Sequence, residues 1–314
     1  LFSYASLEAA ASANSEDIED VIEQVEEVED DISELQQKMT KTEIQLSNVA
    51  EDIGDGDHSS LGAIPPNQKG RARLLVKDVG VICGIDLAAH IFNRLDSTLV
   101  FESFIEEGRI VNVGDIAFNI SGNIHSILQA ERLVLNFMQR MSGISTFTKR
   151  LVDIISGTNA QLLDTRKTTP GMRVFEKYAV SVGGGVNHRI GLYDMVMLKD
   201  NHNDYAGGIT AGVNHTKSYL KSQNRQLKIE VETRNLEEVE EALSVGVDRI
   251  MFDNFSPDDM VKAVNLVNGR CETEASGGIT ESTIINYAET GVDFISVGAL
   301  THSVRSLDLS LKQF

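Results

Sequence analysis

After Asn159, six short apolar runs each finish in residues suited to anion chemistry. AQLLDTRK ends in Arg166 and Lys167, YDMVMLKD closes on Lys199, LKIEVETR carries Glu232, and DRIMFDN carries Asp253. CETEAS ends in Ser276 before Gly277 and Gly278, and FISVGAL carries Gly298 with His302 just beyond. Guanidinium groups grip carboxylates and phosphates as a two-pronged fork, and lysine meets them as a point charge. Glu232 and Asp253 end consecutive runs and offer hard oxygens to Mg2+, which uses one or two carboxylates together with substrate phosphate oxygens. ASGG and SVGAL place backbone N–H groups ahead of helix starts, where a phosphate monoester binds. The stretch VGGGVNHRIGLYD is too rich in glycine for a packed element, so His188 and Arg189 are expected on a loop near the same place.

Taken singly, each residue has a plainer reading. Arg166 can pair with Asp164 or Glu176, Lys199 with Asp200, Glu232 can sit on a solvated strand end, and glycine can simply open a loop. His90, His125 and His215 read as surface or structural residues. Taken together, the runs favour one anionic, phosphorylated ligand, and Arg132, Arg166, Arg189 and Lys199 suit a dianionic aromatic acid.

Such residues need elements that bring them to one place. Four of the runs are followed by segments of helical character, at 209–222, 235–245, 257–268 and 280–290, so strand and helix alternate and predict a parallel barrel or an open parallel sheet. In a barrel the strand C-termini converge on a single mouth. Ahead of this region, 124–155 has helical spacing, with Ala130, Leu133, Val134, Phe137, Met138 and Met141 on one wide apolar face. Residues 62–120 hold the short β-rich runs LLVKDVGVICGI, TLVFESFI and VGDIAFNI, which predict a small sheet.

The chain has 314 residues, more than a barrel of about 250 needs, so a second, smaller domain is expected. Apolar residues at 41%, charged residues at 24% and a mean hydropathy of -0.12 describe a chain able to bury a sizeable core. No apolar run reaches the roughly 18 residues of a membrane span, and the start has no basic flank, which together point to the cytoplasm. Cys83 and Cys271, the only cysteines, support neither a disulfide framework nor a cysteine zinc site and read as small core residues. The net charge of -19 is lopsided, because residues 1–57 hold 17 acids against 2 lysines while the remainder carries 30 acids and 26 bases. Nucleic acid is not an expected partner. Within the acidic part, Ile18, Val21, Val25, Val28, Ile32, Leu35 and Met39 form a heptad seam. A self-associating coiled coil, an amphipathic helix laid on the body, and a leader with no part in the chemistry all fit it.

The segments LLDTRKTTPGMRVFEKYAV, GGGVNHRIGLYDMVMLKDNH, IEVET, MFDNF, EASGGIT and GVDFISVGALTHS together resemble the quinolinate phosphoribosyltransferase family, the carboxylating nicotinate-nucleotide pyrophosphorylases. The likeness runs back through AERLVLNFMQRMSGIST and EDIGDGDHSS and covers about residues 50–314. It implies an α/β fold with an N-terminal α/β sandwich domain (46–158), a C-terminal incomplete, seven-stranded βα barrel (159–300) and a C-terminal segment (301–314); residues 1–45, an acidic helical or poorly ordered leader, lie outside it. It implies a homodimer, or a hexamer as a trimer of dimers, in which Arg132 enters the neighbouring subunit's site. It further implies that Arg166, His188, Arg189 and Lys199 bind the carboxylates of quinolinate, with Lys167 where the substrates meet. Glu232 and Asp253 would hold ribose and magnesium-pyrophosphate, and Ser276, Gly277, Gly298 and His302 the 5′-phosphate of phosphoribosyl pyrophosphate. Three rivals remain at this point: a phosphoribosyltransferase for another aromatic acid, a Schiff-base barrel lyase with Lys199 as nucleophile, and a non-catalytic assembly protein working through its acidic segment.

Overall fold

The computed structural model describes residues 51–314, so the acidic leader and its heptad seam lie outside the described residues. The chain first lays down α1 (His58–Ala63), β1 (Lys69–Val76), β2 (Gly80–Val81), α2 (Ile85–Leu95), β3 (Val100–Ser103), β4 (Ile110–Val111) and β5 (Ile116–Asn123), then the long helix α3 (Ile124–Ile155). In β1, Ala72, Leu74 and Val76 alternate with less buried residues, the pattern of a sheet with one covered face. That face is closed by an aromatic cluster in which Phe118 meets Phe101 at 4.5 Å and Phe92 of α2 edge-on at 6.0 Å. Phe92 and Phe118 are almost wholly buried, each worth about 1.5–3 kcal/mol of apolar transfer.

The remaining elements are β6 (Gln161–Leu163), α4 (Arg173–Val182), β7 (Val196–Leu198), α5 (Asp200–Ala206), α6 (Ile209–Ser222), β8 (Ile229–Thr233), α7 (Leu236–Val245), β9 (Arg249–Asp253), α8 (Pro257–Val267), β10 (Glu272–Ser276), α9 (Ile284–Ala288), β11 (Phe294–Ser296), α10 (Ala299–His302) and β12 (Leu309–Gln313). The six strands β6 to β11 are all parallel and lie in the order β6-β11-β10-β9-β8-β7. β6 and β7, consecutive in the barrel half of the chain, therefore form the two edges of an open wall. The expected seventh strand is reduced to a single parallel bridge between Leu163 and Val186. Its sequence explains why: Gly183, Gly184 and Gly185 precede Val186, Gly184 is at φ +89°, and a turn in that conformation ends any extended run before a ladder can form.

The C-terminal segment enters the first sheet, where β12 pairs antiparallel with β1, with Arg73 opposite Lys312. The sheet order is β12-β1-β5-β3, and Arg71 and Arg73 stack over the Phe314 ring at 4.6 and 4.5 Å. Cys83 is core, as expected, whereas Cys271 is only half-buried where β10 begins. Helix α3 links the two halves: it packs on α2 and β2 of the first and on α4 and β6 of the second, where Phe137 meets Phe175 at 4.8 Å.

Candidate active site

Side chains alternate along a strand, so a register fixes which of them share a face. Glu230, Arg249 and Glu272 are aligned across β8, β9 and β10, and Asp253 is aligned with Ser276 at the C-terminal ends of the latter two. Glu232 is two residues beyond Glu230 and lies on the same face, one step below the end of β8. This face carries a deep charged layer and, above it, the residues expected to do chemistry.

At the upper level Lys199, which opens α5, donates to Glu232 at 2.8 Å. Glu232 is buried, at 7% exposure, rather than solvated, and Lys199 meets it rather than Asp200. Burial and the negative charge of Glu232 both raise the carboxyl of Asp253, placing the two acids within electrostatic reach. Two facing carboxylates with hard oxygens fit a cation such as Mg2+. Past β10, Gly277 adopts φ +97°, and a β-carbon there would lie 2.2 Å from Asn254 Oδ1, so only glycine fits the turn after Ser276. Past β11, a β-carbon on Gly298 would stand 3.0 Å from Lys167 Cδ and 3.1 Å from His302 Nε2, which brings Lys167, Gly298 and His302 to one place.

Arg166 pairs with neither alternative suggested by the sequence, since Asp164 is taken by Lys177 and Glu176 by Arg140. It lies close enough to Arg189 that burial first, and the Arg166 charge second, lower the Arg189 guanidinium from its ordinary value. Two neighbouring guanidiniums repel unless an anion lies between them, and such a pair is a receptor for carboxylates. Arg189 also donates from Nη1 to Met195 O at 3.1 Å, which sets the direction of its side chain.

His188 is on a loop, as expected, but it is buried at 6% exposure and reaches downward. Its Nε2 lies 3.0 Å from Glu230 and 3.3 Å from Glu274, out of hydrogen-bond alignment, while Nδ1 lies 2.6 Å from Arg189 N. Burial alone would lower this imidazole, but the two carboxylates outweigh it and raise it to about 9. Burial and the Glu274 charge raise Glu230 to about 7. Arg249 contributes the second cation, with Nη1 3.3 Å from Glu274 and its guanidinium over the Phe294 ring at 4.1 Å. His188, Glu230 and Glu274 have the types and spacing of a metal site. The Arg249 guanidinium supplies positive charge beside the two carboxylates.

The loop is held from its other side by a fully buried ion pair. Lys177 of α4 donates to Asp164 and, at 2.7 Å, to His188 O, and Asp164 accepts from His188 N at 2.9 Å. Desolvation raises Asp164 to about 6 despite the ammonium beside it. Glu230, Glu274, Arg249 and Lys177 were not singled out in the sequence, and Asp164 was noticed only as a partner for Arg166. The signal for the two glutamates was there, since IEVET and ETEAS place acids on every second residue of strands that bury both faces.

Arg132 stands exposed on α3, and among the described residues the contacts that gather the other groups do not include it. A cleft of about 630 Å³ lined by Lys228, Asp248, Cys271 and Asp293 opens at the opposite ends of the strands, away from these residues. Chemistry rather than cavity size therefore locates the site.

An incomplete βα barrel whose strand ends gather guanidiniums, an acid pair and two glycine turns defines a barrel enzyme for anionic, phosphorylated ligands. The chain matches the family models described as quinolinate phosphoribosyl transferase, N-terminal domain, over residues 57–142, and C-terminal domain, over residues 144–312. It is 47% identical over 288 residues to the chloroplastic carboxylating nicotinate-nucleotide pyrophosphorylase of Arabidopsis thaliana, covering 87% of this chain and 82% of that one. A mitochondrial decarboxylating quinolinate phosphoribosyltransferase of Nicotiana tabacum is 44% identical over 286 residues, 86% of this chain and 81% of the relative. The solved structure of the Francisella tularensis nicotinate-nucleotide pyrophosphorylase superposes with a TM-score of 0.81 at 40% identity, over 85% of this chain and 94% of that one. The chain belongs to the quinolinate phosphoribosyl transferase family.

Proposed function

We propose that this chain transfers the phosphoribosyl group of phosphoribosyl pyrophosphate to the ring nitrogen of quinolinate, releasing pyrophosphate and the 2-carboxylate as CO2 and leaving nicotinate mononucleotide, a step of NAD biosynthesis. Beyond family membership, the observation that carries this reading is that Arg189, its guanidinium aimed by Met195 O, lies within electrostatic reach of Arg166. Two guanidinium forks serving one site suit a ligand with two adjacent carboxylates.

The nitrogen lone pair forms the new C–N bond at the anomeric carbon as the bond to pyrophosphate breaks. The ring–carboxylate bond then breaks, CO2 leaves, and the electron pair on the ring carbon takes up a proton. Arg166, Arg189 and Lys199 orient the ring by its carboxylates, Lys167 lies between the two substrates, and His188 holds the loop beneath Arg189. Ser276, Gly277, Gly298 and His302 receive the 5′-phosphate, whose position then fixes the anomeric carbon relative to the nitrogen. Glu232 and Asp253 hold the ribose and would hold Mg2+, which when bound neutralises charge on the leaving pyrophosphate. Positioning and electrostatics thus supply the catalysis.

The wider reading is a homodimer, or a hexamer built as a trimer of dimers, with Arg132 completing the partner's site. Among the described residues no helix is long and apolar enough to cross a membrane. The cytoplasm is the proposed location, beside the chloroplast and mitochondrion that the relatives' names carry. The Schiff-base alternative gains nothing from the structure, because Lys199 is ion-paired and 49% exposed rather than enclosed in an apolar pocket. Steady-state competition between quinolinate and nicotinate tests the substrate: strong preference for quinolinate is expected, and equal use of both would replace it with a monocarboxylate.

A further inference from the structure

One buried ion pair ties the loop that carries Lys167 to the turn that carries Gly298, and it lies outside the groups assigned above. Glu176 of α4 has no solvent exposure, and Arg140 of α3 donates to its Oε1 from Nε at 3.1 Å and from Nη2 at 2.9 Å. The other oxygen, Oε2, accepts the backbone N–H of Thr169 at 3.1 Å, three residues after Arg166. Arg140 Nη2 also donates to the carbonyl of Thr301 in α10. Thr301, itself fully buried, closes the circuit by donating its hydroxyl to Lys167 O at 2.8 Å.

Four hydrogen bonds to one buried carboxylate or one guanidinium thus join α3, the loop after β6 and the turn after β11. A planar fork is required, because the same guanidinium satisfies an oxygen on α4 and a carbonyl on α10, which an ammonium on a flexible stem cannot do at fixed geometry. The exposed tips at Lys167, Thr169 and His302 are held by bonds within their own turns, such as Lys167 N to Thr165 Oγ1 and His302 N to Gly298 O, whereas the Arg140–Glu176 pair and the Thr301 hydroxyl bind one loop to the other. The spacing between Lys167 and Gly298 therefore depends on this pair.

We propose that Arg140 and Glu176 are positioning residues that set the spacing between Lys167 and the Gly298 turn, and so select for the phosphate end of the phosphoribosyl substrate. This rests on the assignment of that turn to the 5′-phosphate. Arg140→Lys keeps the charge and loses the fork, and Thr301→Val keeps the volume and removes only the hydroxyl bond to Lys167. In the full chain, both are expected to weaken ribose 5-phosphate binding in calorimetry by about tenfold and to raise the KM for phosphoribosyl pyrophosphate to match, a loss of ~1.4 kcal/mol. Quinolinate affinity should change less than about twofold in both. Thermal melts report folding separately. Folded variants that melt lower yet bind ribose 5-phosphate as the unaltered chain does would overturn the proposal and leave Arg140 as a packing residue. An unaltered chain that does not bind ribose 5-phosphate would instead overturn the assignment of the turn, and the proposal with it.

Discussion

Arg189 shows how far a single residue's role depends on its neighbours. Its guanidinium is aimed by Met195 O and lies within electrostatic reach of Arg166, and its backbone nitrogen packs 2.6 Å from the His188 ring. Lysine at this position keeps the charge and loses the fork, so Arg189→Lys is expected to lower kcat/KM for quinolinate by about 10²-fold, mostly through KM, in steady-state assays. Gly277 is the second residue-scale case. At φ +97° with Asn254 Oδ1 in the space of a β-carbon, Gly277→Ala is expected to cost about 1–3 kcal/mol in chemical denaturation and to weaken phosphate binding. The chemistry-bearing residues at the mouth were legible because their types are unusual at the ends of apolar runs. The residues beneath them were harder to read, since an acid in a strand can be solvated, paired or buried, and only the register shows that Glu230 and Glu274 meet His188. Asp164 and Glu176 were both noticed, but as partners of Arg166, when packing gives them to Lys177 and Arg140 instead.

At the scale of elements, the loop that carries His188 and Arg189 hangs between two buried charge systems, Asp164–Lys177 above and Glu230–Glu274–Arg249 below. The imidazole keeps its proton up to about 9 in the fold, against 6.5 for a free histidine. Its stabilising contribution is therefore complete below pH 6.5 and is lost as pH rises through 9. Thermal melts across that window should fall, and Glu274→Gln, which removes one of the two carboxylates, should move the fall to lower pH, with the His188 ring titration by NMR moving alongside. A ring that titrates unchanged in Glu274→Gln would contradict this picture. The helices of the barrel half were readable to within a few residues at 209–222, 235–245 and 257–268, because each follows an apolar strand run; in the fold, Asn235 and Ser256 cap two of the starts. The seventh strand was not, because its residues are few and its neighbours are glycines, so local sequence cannot separate a strand from a one-residue bridge.

For the whole molecule, the return of β12 to β1 means that the first sheet is completed by the last residues of the chain, which no local pattern announced even though Leu307, Leu309 and Leu311 alternate. The residues assigned to the mouth all lie between 132 and 302, so a chain lacking residues 1–45 is expected to keep kcat/KM within about twofold. If Arg132 serves the neighbouring subunit, Arg132→Ala and Lys199→Ala should each be inactive alone and recover activity when mixed under verified subunit exchange. Exchange without recovery would confine Arg132 to its own chain. The central claim is tested most directly by incubating the full chain with quinolinate, phosphoribosyl pyrophosphate and Mg2+ and measuring CO2 and pyrophosphate together. The account predicts their release in a one-to-one ratio, dependent on Mg2+ and on both substrates; release of either product without the other, or of neither, would contradict it.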